Sequence, residues 1–171
     1  MSSDEREHFL RLWEYESGVT GKLLRSLPKD QYDFRPDPEG RSLGELAWHL
    51  AELEAFMSNI AASRRFDVPK PAGLDRPRTV PELATGYDRI HLEAVERVRA
   101  IRPEDLVREF PFVDGKPISV RNVLQFPLLH HLIHHRGQLM MMIRMADGVP
   151  SKVYGPNRED TAAARARAQG G

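Results

Sequence analysis

The sequence predicts an all-α protein built as a four-helix bundle. Four segments carry apolar residues at alternating steps of three and four, which is the spacing of one buried helix face. Stretches rich in proline, glycine and aspartate separate these segments and are typical of loops. The chain has 171 residues, a length that suits one domain with a full apolar core. We therefore expect a single bundle domain over residues 1–158, followed by a flexible tail over residues 159–171.

The ends of the first two helices are predicted from residues that start and stop helices. The first is expected over residues 4–27, and Pro28 follows as a residue that cannot continue a helix. The second should begin after Ser42, with Glu45 three residues on. This is the capping-box pattern, in which each side chain binds the other residue's backbone N–H. The helix should end near Ala62, before a proline-rich connector.

The third helix and the segment after it also carry local signals. Thr79 and Glu82 flank Pro81 in a second capping-box pattern, with proline in the first turn, where it is tolerated. The helix is expected to continue to about Ala100. Its predicted inward-facing residues are Leu83, Tyr87, Ile90, Ala94 and Val98. The stretch EFPFVDGKPIS then alternates briefly, and its Asp-Gly pair predicts a small hairpin or an extended loop.

The last helix is predicted to begin after Ser119 and to end near Gly148. Pro127 lies inside it, and an internal proline removes one backbone N–H and crowds the preceding turn. We therefore expect a kink or a freed carbonyl just before the histidine-rich run LLHHLIHHRGQLMMMIRM.

The composition excludes several classes of function. The chain has 25 basic and 25 acidic residues, and no Lys/Arg cluster with interleaved aromatic residues offers a surface for nucleic acid or an anionic membrane. It has no cysteine, which excludes disulfides, thiolate ligands and a cysteine nucleophile. The polar start MSSDEREHF does not resemble a signal peptide, and no apolar run approaches the roughly 18 residues of a membrane span. We expect a soluble, cytoplasmic protein without nucleic-acid or membrane partners.

The histidines are the most informative feature of the chain, because four of the seven lie within residues 128–145. His131 and His135 are four residues apart, so both imidazoles share one face of a helix. His49 takes an inward position on the second helix. Three buried imidazoles would leave polar nitrogens without hydrogen-bond partners, at a cost of about 1–3 kcal/mol per unpaired group. A shared metal ion removes much of that cost. The pattern predicts a three-histidine metal site.

Other histidines leave an alternative open. His130 and His134 have the same four-residue spacing, about 100° around the helix. Spacing alone does not decide which pair faces the core, and the apolar residues that precede the first pair on its face favour that pair. His8 and His91 have no partner at ligand spacing, so we expect ordinary surface or packing roles for them.

Three polar residues are candidates for a part in catalysis. Glu52, one turn beyond His49, could act as a general base or orient a ligand, or it could be a solvated helix carboxylate. Gln138, near His135, could hydrogen-bond a ligating imidazole or a substrate, or it could make a simple helix contact. His134 could support a ligand or line the pocket.

The candidates for binding a substrate are Trp48, Phe126 and Arg136. Arg136 is expected to pair with a carboxylate such as Glu45 or Glu52, or to meet an anionic substrate. These residue types alone do not define a chemical class of substrate.

The segments SLGELAWHLAELEAF, HHLIHHRGQL and GVPSKVYGP, over roughly residues 5–157, resemble the DinB/YfiT-like superfamily of damage-inducible-type, metal-dependent hydrolases. The resemblance implies a DinB-like four-helix bundle in an up-down-down-up arrangement that forms a homodimer. It also implies a divalent metal, zinc or nickel and in some members iron or manganese. By position, its ligands would be His49, His131 and His135.

The resemblance also bounds the function. Relatives include maleylpyruvate isomerases and transferases for low-molecular-weight thiols. An open three-histidine site suits a metal-dependent enzyme of hydrolase or thiol S-transferase type with a small-molecule substrate, such as a low-molecular-weight thiol. The alternative is a non-catalytic metal-binding or interaction bundle. A ferritin-like di-iron site is disfavoured because the chain lacks the paired inward Glu-x-x-His motifs.

Overall fold

The computed structural model of the protein describes residues 3–66 and 75–169. This part of the chain is mostly helical, with one small two-stranded sheet. The helices are α1 (Ser3–Arg25), α2 (Leu43–Ser63), α3 (Val80–Arg99), α4 (Val120–Val123), α5 (His131–Met145) and α6 (Arg158–Gln169). A π-helical stretch (Leu124–His130) joins α4 to α5, and short 3-10 turns occur at Pro103–Asp105 and Val113–Gly115. The strands are β1 (Glu109–Pro111) and β2 (Pro117–Ser119).

Helix α2 lies at the centre of the packing. It contacts α3 most extensively and also packs against α4, the π-helical stretch and α5, whereas α1 packs mainly on α3. Leu50 and Ile60 of α2 are fully buried. The inward face predicted for α3 is confirmed, since all five of its residues are buried. None of the described helices is long and apolar enough to cross a lipid bilayer.

The start of α2 is held by the predicted capping box. The Glu45 backbone N–H donates to Ser42 Oγ at 3.2 Å, and the Ser42 backbone N–H donates to Glu45 Oε2 at 2.8 Å. The capping box predicted for α3 is wrong, because the hydroxyl of Thr79 donates to the side chain of Glu82 rather than accepting from the backbone. The N-terminus of α2 is therefore the more firmly defined of the two.

The hairpin predicted around the Asp-Gly pair is confirmed. Strands β1 and β2 pair antiparallel with Phe110 opposite Ile118. The turn between them places Asp114 at φ 57° and Gly115 at φ 71°, the left-handed region that favours Asp-Gly. This sheet is a small addition to the predicted all-α class.

The irregularity expected at Pro127 is present as the π-helical stretch. The backbone N–H of His131 donates to the carbonyls of Phe126 and Leu128. The wider π turn accommodates a residue that has no N–H of its own. The carbonyl of Pro127, which an α-helix would pair with the His131 backbone N–H, is left for another donor.

The C-terminal residues expected to form a flexible tail include helix α6. Asn157 starts it, because its side-chain oxygen accepts from the backbone N–H of Asp160 at 2.8 Å. Arg144 of α5 holds it through two contacts with Glu159 at 2.6 and 2.7 Å. The run of alanine and arginine has high helix propensity, a signal that the tail prediction did not use.

Candidate metal centre

The structure brings together three histidine side chains from two helices. His49 comes from the second turn of α2, and His131 and His135 come from the first turns of α5. Each ring offers one nitrogen to the group, and these nitrogens all lie within 4.8 Å of one another. The ring centroid of His135 lies 4.7 Å from that of His49 and 4.5 Å from that of His131. The four-residue spacing on α5 and the inward position on α2 together produce this cluster.

The two α5 histidines each have a second partner that fixes the ring. Nδ1 of His135 lies 2.7 Å from the side-chain oxygen of Gln138, so this nitrogen carries the proton and donates. The backbone carbonyl of Pro127, which does not pair with the His131 backbone N–H in the π turn, acts on the ring of His131 and opposes the lowering of its pKa. Each ring therefore keeps its other nitrogen, with its lone pair, for the cluster.

The third ring is oriented by a carboxylate. Nδ1 of His49 lies 3.5 Å from Oε2 of Glu52. Arg76 lies 3.4 Å from the other oxygen of Glu52. The contact with His49 first, and the charge of Arg76 after it, lower the pKa of Glu52 below its ordinary value. Glu52 is therefore a charged acceptor at neutral pH, which suits orientation of His49 better than a general base's role.

Burial keeps two of the rings uncharged. Burial lowers the pKa of His135 from 6.5 to about 4, although the bond to Gln138 opposes this shift. Burial and the neighbouring His49 and His134 also lower the pKa of His131. Neutral imidazole is the form that binds metal, so both rings are in their ligand form at neutral pH.

The chemistry of these donors fits a divalent metal. Zinc–nitrogen bonds of about 2.0–2.1 Å place the nitrogens of a tetrahedral site roughly 3.3 Å apart. Nitrogens that already lie within 4.8 Å of one another reach that spacing by small side-chain rotations. Within residues 3–66 and 75–169, no fourth histidine or acidic side chain joins the group. A metal held here would keep open positions, as catalytic sites do and structural zinc sites do not.

The alternative histidine pair lies at the rim. His130 is exposed, and its ring lies 5.1 Å from that of Phe126, which is also exposed. His134 is exposed as well, with its ring 5.1 Å from that of His135. Of the two pairs, only His131 and His135 lie within ligand distance of His49.

The predicted pairing of Arg136 with Glu45 or Glu52 is wrong. Arg136 follows His135 and therefore lies about 100° further around the helix, which directs its side chain toward α1. There it is buried and lies 2.5 Å from a carboxylate oxygen of Glu16. It also donates to the hydroxyl of Tyr154, a residue that lines a cleft of about 1050 Å³ between α1 and residues 151–167. That cleft includes none of the three clustered histidines.

Trp48, the residue before His49, packs against α3. It is fully buried, and its ring packs so closely on Gly86 of α3 that a Cβ there would lie 2.7 Å from it. A glycine is therefore required at this contact. The structure places Trp48 between α2 and α3, and the candidates nearest the cluster are Glu52, His134 and Gln138.

Sequence reasoning missed a second polar cluster, centred on Glu54. This carboxylate is fully buried and accepts from Trp13 Nε1 at 3.0 Å, Tyr87 Oη at 2.6 Å and His91 Nδ1 at 2.7 Å. The packing role expected for His91 is thus accompanied by a buried hydrogen bond. The donors come from α1 and α3, so no local spacing reveals them.

Comparison with known proteins identifies the family. The profile of the DinB superfamily matches residues 13–139. The chain belongs to the DinB superfamily. A similar protein is YrdA of Bacillus subtilis, itself uncharacterized, which is 28% identical over 157 residues and aligns over 91% of this chain and 92% of its own.

Solved DinB-like structures have the same fold. A DinB-like protein from Bacillus cereus superposes with a TM-score of 0.71 at 27% identity, covering 86% of this chain and 97% of its own. The DinB-like protein YjoA from Bacillus subtilis gives a TM-score of 0.63 at 20% identity, covering 91% of this chain and 96% of its own. The resemblance expected from the histidine segments is therefore confirmed.

Proposed function

We propose that the protein is a metal-dependent enzyme of hydrolase or low-molecular-weight thiol S-transferase type that acts on a small-molecule substrate. One observation carries this proposal. The nitrogens that His49, His131 and His135 offer to a shared site lie within 4.8 Å of one another, and Glu52 and Gln138 contact the rings of His49 and His135. A cluster with three oriented donors and no fourth described ligand suits an open metal site.

Zinc or nickel is the proposed metal, and iron or manganese is the next choice, since imidazole is a good ligand for zinc, nickel and iron. When bound, such an ion acts as a Lewis acid that lowers the pKa of a water or thiol entering its open positions. The absence of cysteine from the chain means that any thiol must come from outside.

The protein's own residues have distinct proposed tasks. Pro127, Gln138 and Glu52 hold the three rings in the tautomers and orientations that aim the remaining nitrogens at one point. The exposed His134 lies at the rim beside His135, where its imidazole could carry a proton to or from a substrate.

We also propose the up-down-down-up bundle arrangement and a homodimer. Met141 and Met145 leave apolar surface exposed on α5, which supports association through this helix.

Metal analysis of the purified, tag-free protein tests the proposal. Wild type should hold about one divalent metal per chain, and His49→Ala and His135→Ala should each lose it. His130→Ala is the matched control, because it removes an exposed histidine one residue outside the cluster and should leave the metal content unchanged.

The outcomes separate the candidate functions. A folded wild type that takes up no zinc, nickel, iron or manganese, even after reconstitution, would overturn the metal centre. Metal retained by His135→Ala would assign the site to other residues. A bound metal that activates no water or thiol toward electrophilic substrates would favour a metal-binding or interaction bundle over an enzyme.

A further inference from the structure

The cleft of about 1050 Å³ between α1 and residues 151–167 is a second large concave surface, separate from the histidine cluster. We call it the C-terminal cleft. Helix α1 forms one wall with residues at helical spacing, namely Glu14, Tyr15, Gly18, Val19 and Lys22. Residues 151–156 and helix α6 form the other wall. The volume is large enough for a small organic ligand.

Polar contacts hold the second wall against the bundle at both of its ends. At the start, the backbone N–H of Ser151 donates to Oγ of Ser26, just after α1, at 3.0 Å. Further along, Arg144 of α5 contacts Glu159 of α6 at 2.6 and 2.7 Å. The cleft is therefore preformed, so that a ligand entering it has to order little of the chain.

A buried ion pair fixes Tyr154 within this wall. The tyrosine hydroxyl donates to Oε2 of Glu16 at 2.8 Å and accepts from Arg136, and both of these partners are buried. The tyrosine itself is 62% exposed, and it lines the cleft. The hydroxyl is thus bound inside the protein, while the ring is accessible and held in one place.

A second accessible tyrosine lines the opposite wall. Tyr15 of α1 is exposed, as Tyr154 is, so each wall presents one aromatic ring. Val19 and Pro156 add apolar surface to the lining. Aromatic side chains stack well on planar rings, and exposed apolar surface within a concave site favours a ligand that covers it. The lining therefore suits a ligand with a flat ring.

Three cations supply the charge of the cleft. They are Lys22 on α1, Lys152 on the second wall and Arg167 on α6. All three side chains are exposed, and none of them forms an ion pair with a carboxylate in the part of the chain that the structure describes. Cations from three segments that line one cleft can meet the same anion.

The two carboxylates of the lining have other partners. Glu14 lies 3.6 Å from Arg99, which is not part of the cleft. Asp160 accepts from the backbone N–H of Asn157 at 3.3 Å, near the start of α6. The cations thus outnumber the carboxylates, and one carboxylate is offset from outside. The charge of the cleft favours an anion.

We propose that the C-terminal cleft binds a small molecule that carries a planar ring and an anionic group, either a carboxylate or a phosphate. The tyrosine rings take the flat part of the ligand, and the lysines and Arg167 take its charge. This site is distinct from the metal centre and does not depend on it, because none of the three clustered histidines lines the cleft. A surface groove without a ligand would prefer neither charge nor rings.

Calorimetric titration of the full chain with naphthoate and with naphthyl phosphate tests the charge of the site. The double variant Lys22→Ala/Lys152→Ala should raise the Kd of a bound anion about tenfold, the effect of losing two exposed charge contacts. The matched control is Lys29→Ala/Lys116→Ala, which removes the same charge from two exposed lysines outside the cleft and should leave the Kd unchanged.

A third variant and a neutral ligand test the recognition of the ring. Tyr15→Ala should raise the Kd of either naphthyl anion about fivefold, because one stacking surface is lost. Naphthamide, which keeps the ring without the charge, should bind more weakly than naphthoate and equally to wild type and to the double lysine variant. Binding of only one of the two anions supports the proposal and identifies the preferred anionic group.

Three results would overturn the proposal. The first is that wild type binds neither anion at up to about 1 mM. The second is that the double lysine variant and its control have equal Kd values. The third is that Tyr15→Ala binds both anions as wild type does, which would leave a patch of cations without recognition of a ring.

Two further measurements place the bound anion. Amide chemical-shift changes in an NMR titration should centre on residues 14–22 and 151–167. His49→Ala, which removes one proposed metal ligand, should bind the anions as wild type does. Shift changes centred on the histidine cluster, or binding lost in His49→Ala, would assign the anion to the metal centre and overturn the proposal. Loss of metal from wild type would leave the cleft proposal standing, so the two proposals fail independently.

Discussion

Helix α2 contributes to two polar clusters that differ in what their polar atoms face. At Glu54 the carboxylate accepts from three donors, Trp13, Tyr87 and His91, each within 3.0 Å. At the histidine cluster, five residues earlier on the same helix, Nδ1 of His135 contacts Gln138 and Nδ1 of His49 contacts Glu52, and each of the three rings offers one nitrogen to the cluster. The first cluster pairs its polar atoms within the protein, whereas the second brings together three imidazole nitrogens that could hold a metal ion, with no fourth ligand among the described residues.

As a physical consequence, the two clusters have different roles. The Glu54 cluster ties α1, α2 and α3 together and keeps its charge satisfied without solvent. Burial first, and then the charge of Glu54, raise the pKa of Tyr87 well above its ordinary value, so Tyr87 remains a neutral donor. The histidine cluster instead keeps lone pairs available. A polar network in which every group has a hydrogen-bond partner therefore indicates a structural role. Oriented imidazole nitrogens whose lone pairs have no hydrogen-bond partner indicate a site for a ligand.

The largest loss of stability is expected from removing the carboxylate of the Glu54 cluster. Glu54→Ala leaves three buried donors without an acceptor and should lower the free energy of unfolding by about 3–5 kcal/mol in urea denaturation. Glu96→Ala, which removes an exposed carboxylate on α3, is the control and should change it by less than about 0.5 kcal/mol.

A second variant keeps this test decisive if Glu54→Ala does not fold. Glu54→Gln retains an acceptor oxygen and should show a smaller loss while holding as much metal per folded chain as wild type. If Glu54→Ala lowers the free energy of unfolding by less than about 1 kcal/mol, the Glu54 cluster does not stabilise the packing of the three helices.

The next effect is a pH dependence of stability, which we expect from the histidine cluster. The pKa of His135 is lowered from its ordinary 6.5 to about 4, so between these pH values the unfolded chain binds more protons than the folded chain. The free energy of unfolding of metal-free protein should therefore fall as pH drops through this window and be unaffected by His135 above it. Because the ring is partly solvated, we expect a loss of about 2 kcal/mol.

Urea denaturation across that pH window measures the effect. His135→Ala should remove the part of the slope that belongs to this ring, leaving a smaller contribution in the same direction from His131. A flat wild-type profile, or an unchanged slope in His135→Ala, would show that the ring is not held neutral by burial.

The smallest effect should come from the groups that orient the rings. Gln138→Ala removes the partner of His135 Nδ1 and should raise the Kd for metal about tenfold, measured by competition with a chelator. Gln125→Ala is the control, because Gln125 lies 3.3 Å from the ring of His130, outside the cluster. An unchanged Kd in Gln138→Ala would show that the packing of α5 alone orients His135.

Much of the fold was predictable because its signals are local. The capping box at Ser42, the inward stripe of α3 and the Asp-Gly turn each lie within a few residues of the element that they define. The spacing of His131 and His135 is also local, and so is the irregularity at Pro127. The C-terminal helix α6 was missed although its alanine-rich sequence favours a helix.

The partners of buried polar groups were not predictable, because they come from distant parts of the chain. Arg136 binds Glu16, 120 residues away, rather than a carboxylate of α2. Glu54 likewise gathers Trp13 of α1 together with Tyr87 and His91 of α3. Side-chain direction around each helix and the order in which helices pack decide these contacts, and neither has a signature in spacing.

The sequence by itself therefore determined the four predicted helical segments, the family resemblance and the residue types of the candidate centre. Helix periodicity and capping act within one or two turns, so a single chain displays them directly. Only the tertiary structure decided which histidine pair meets His49, which groups contact the rings, and which carboxylate pairs with Arg136. Those outcomes depend on how α2 and α5 face each other, which is a property of packing across the whole core.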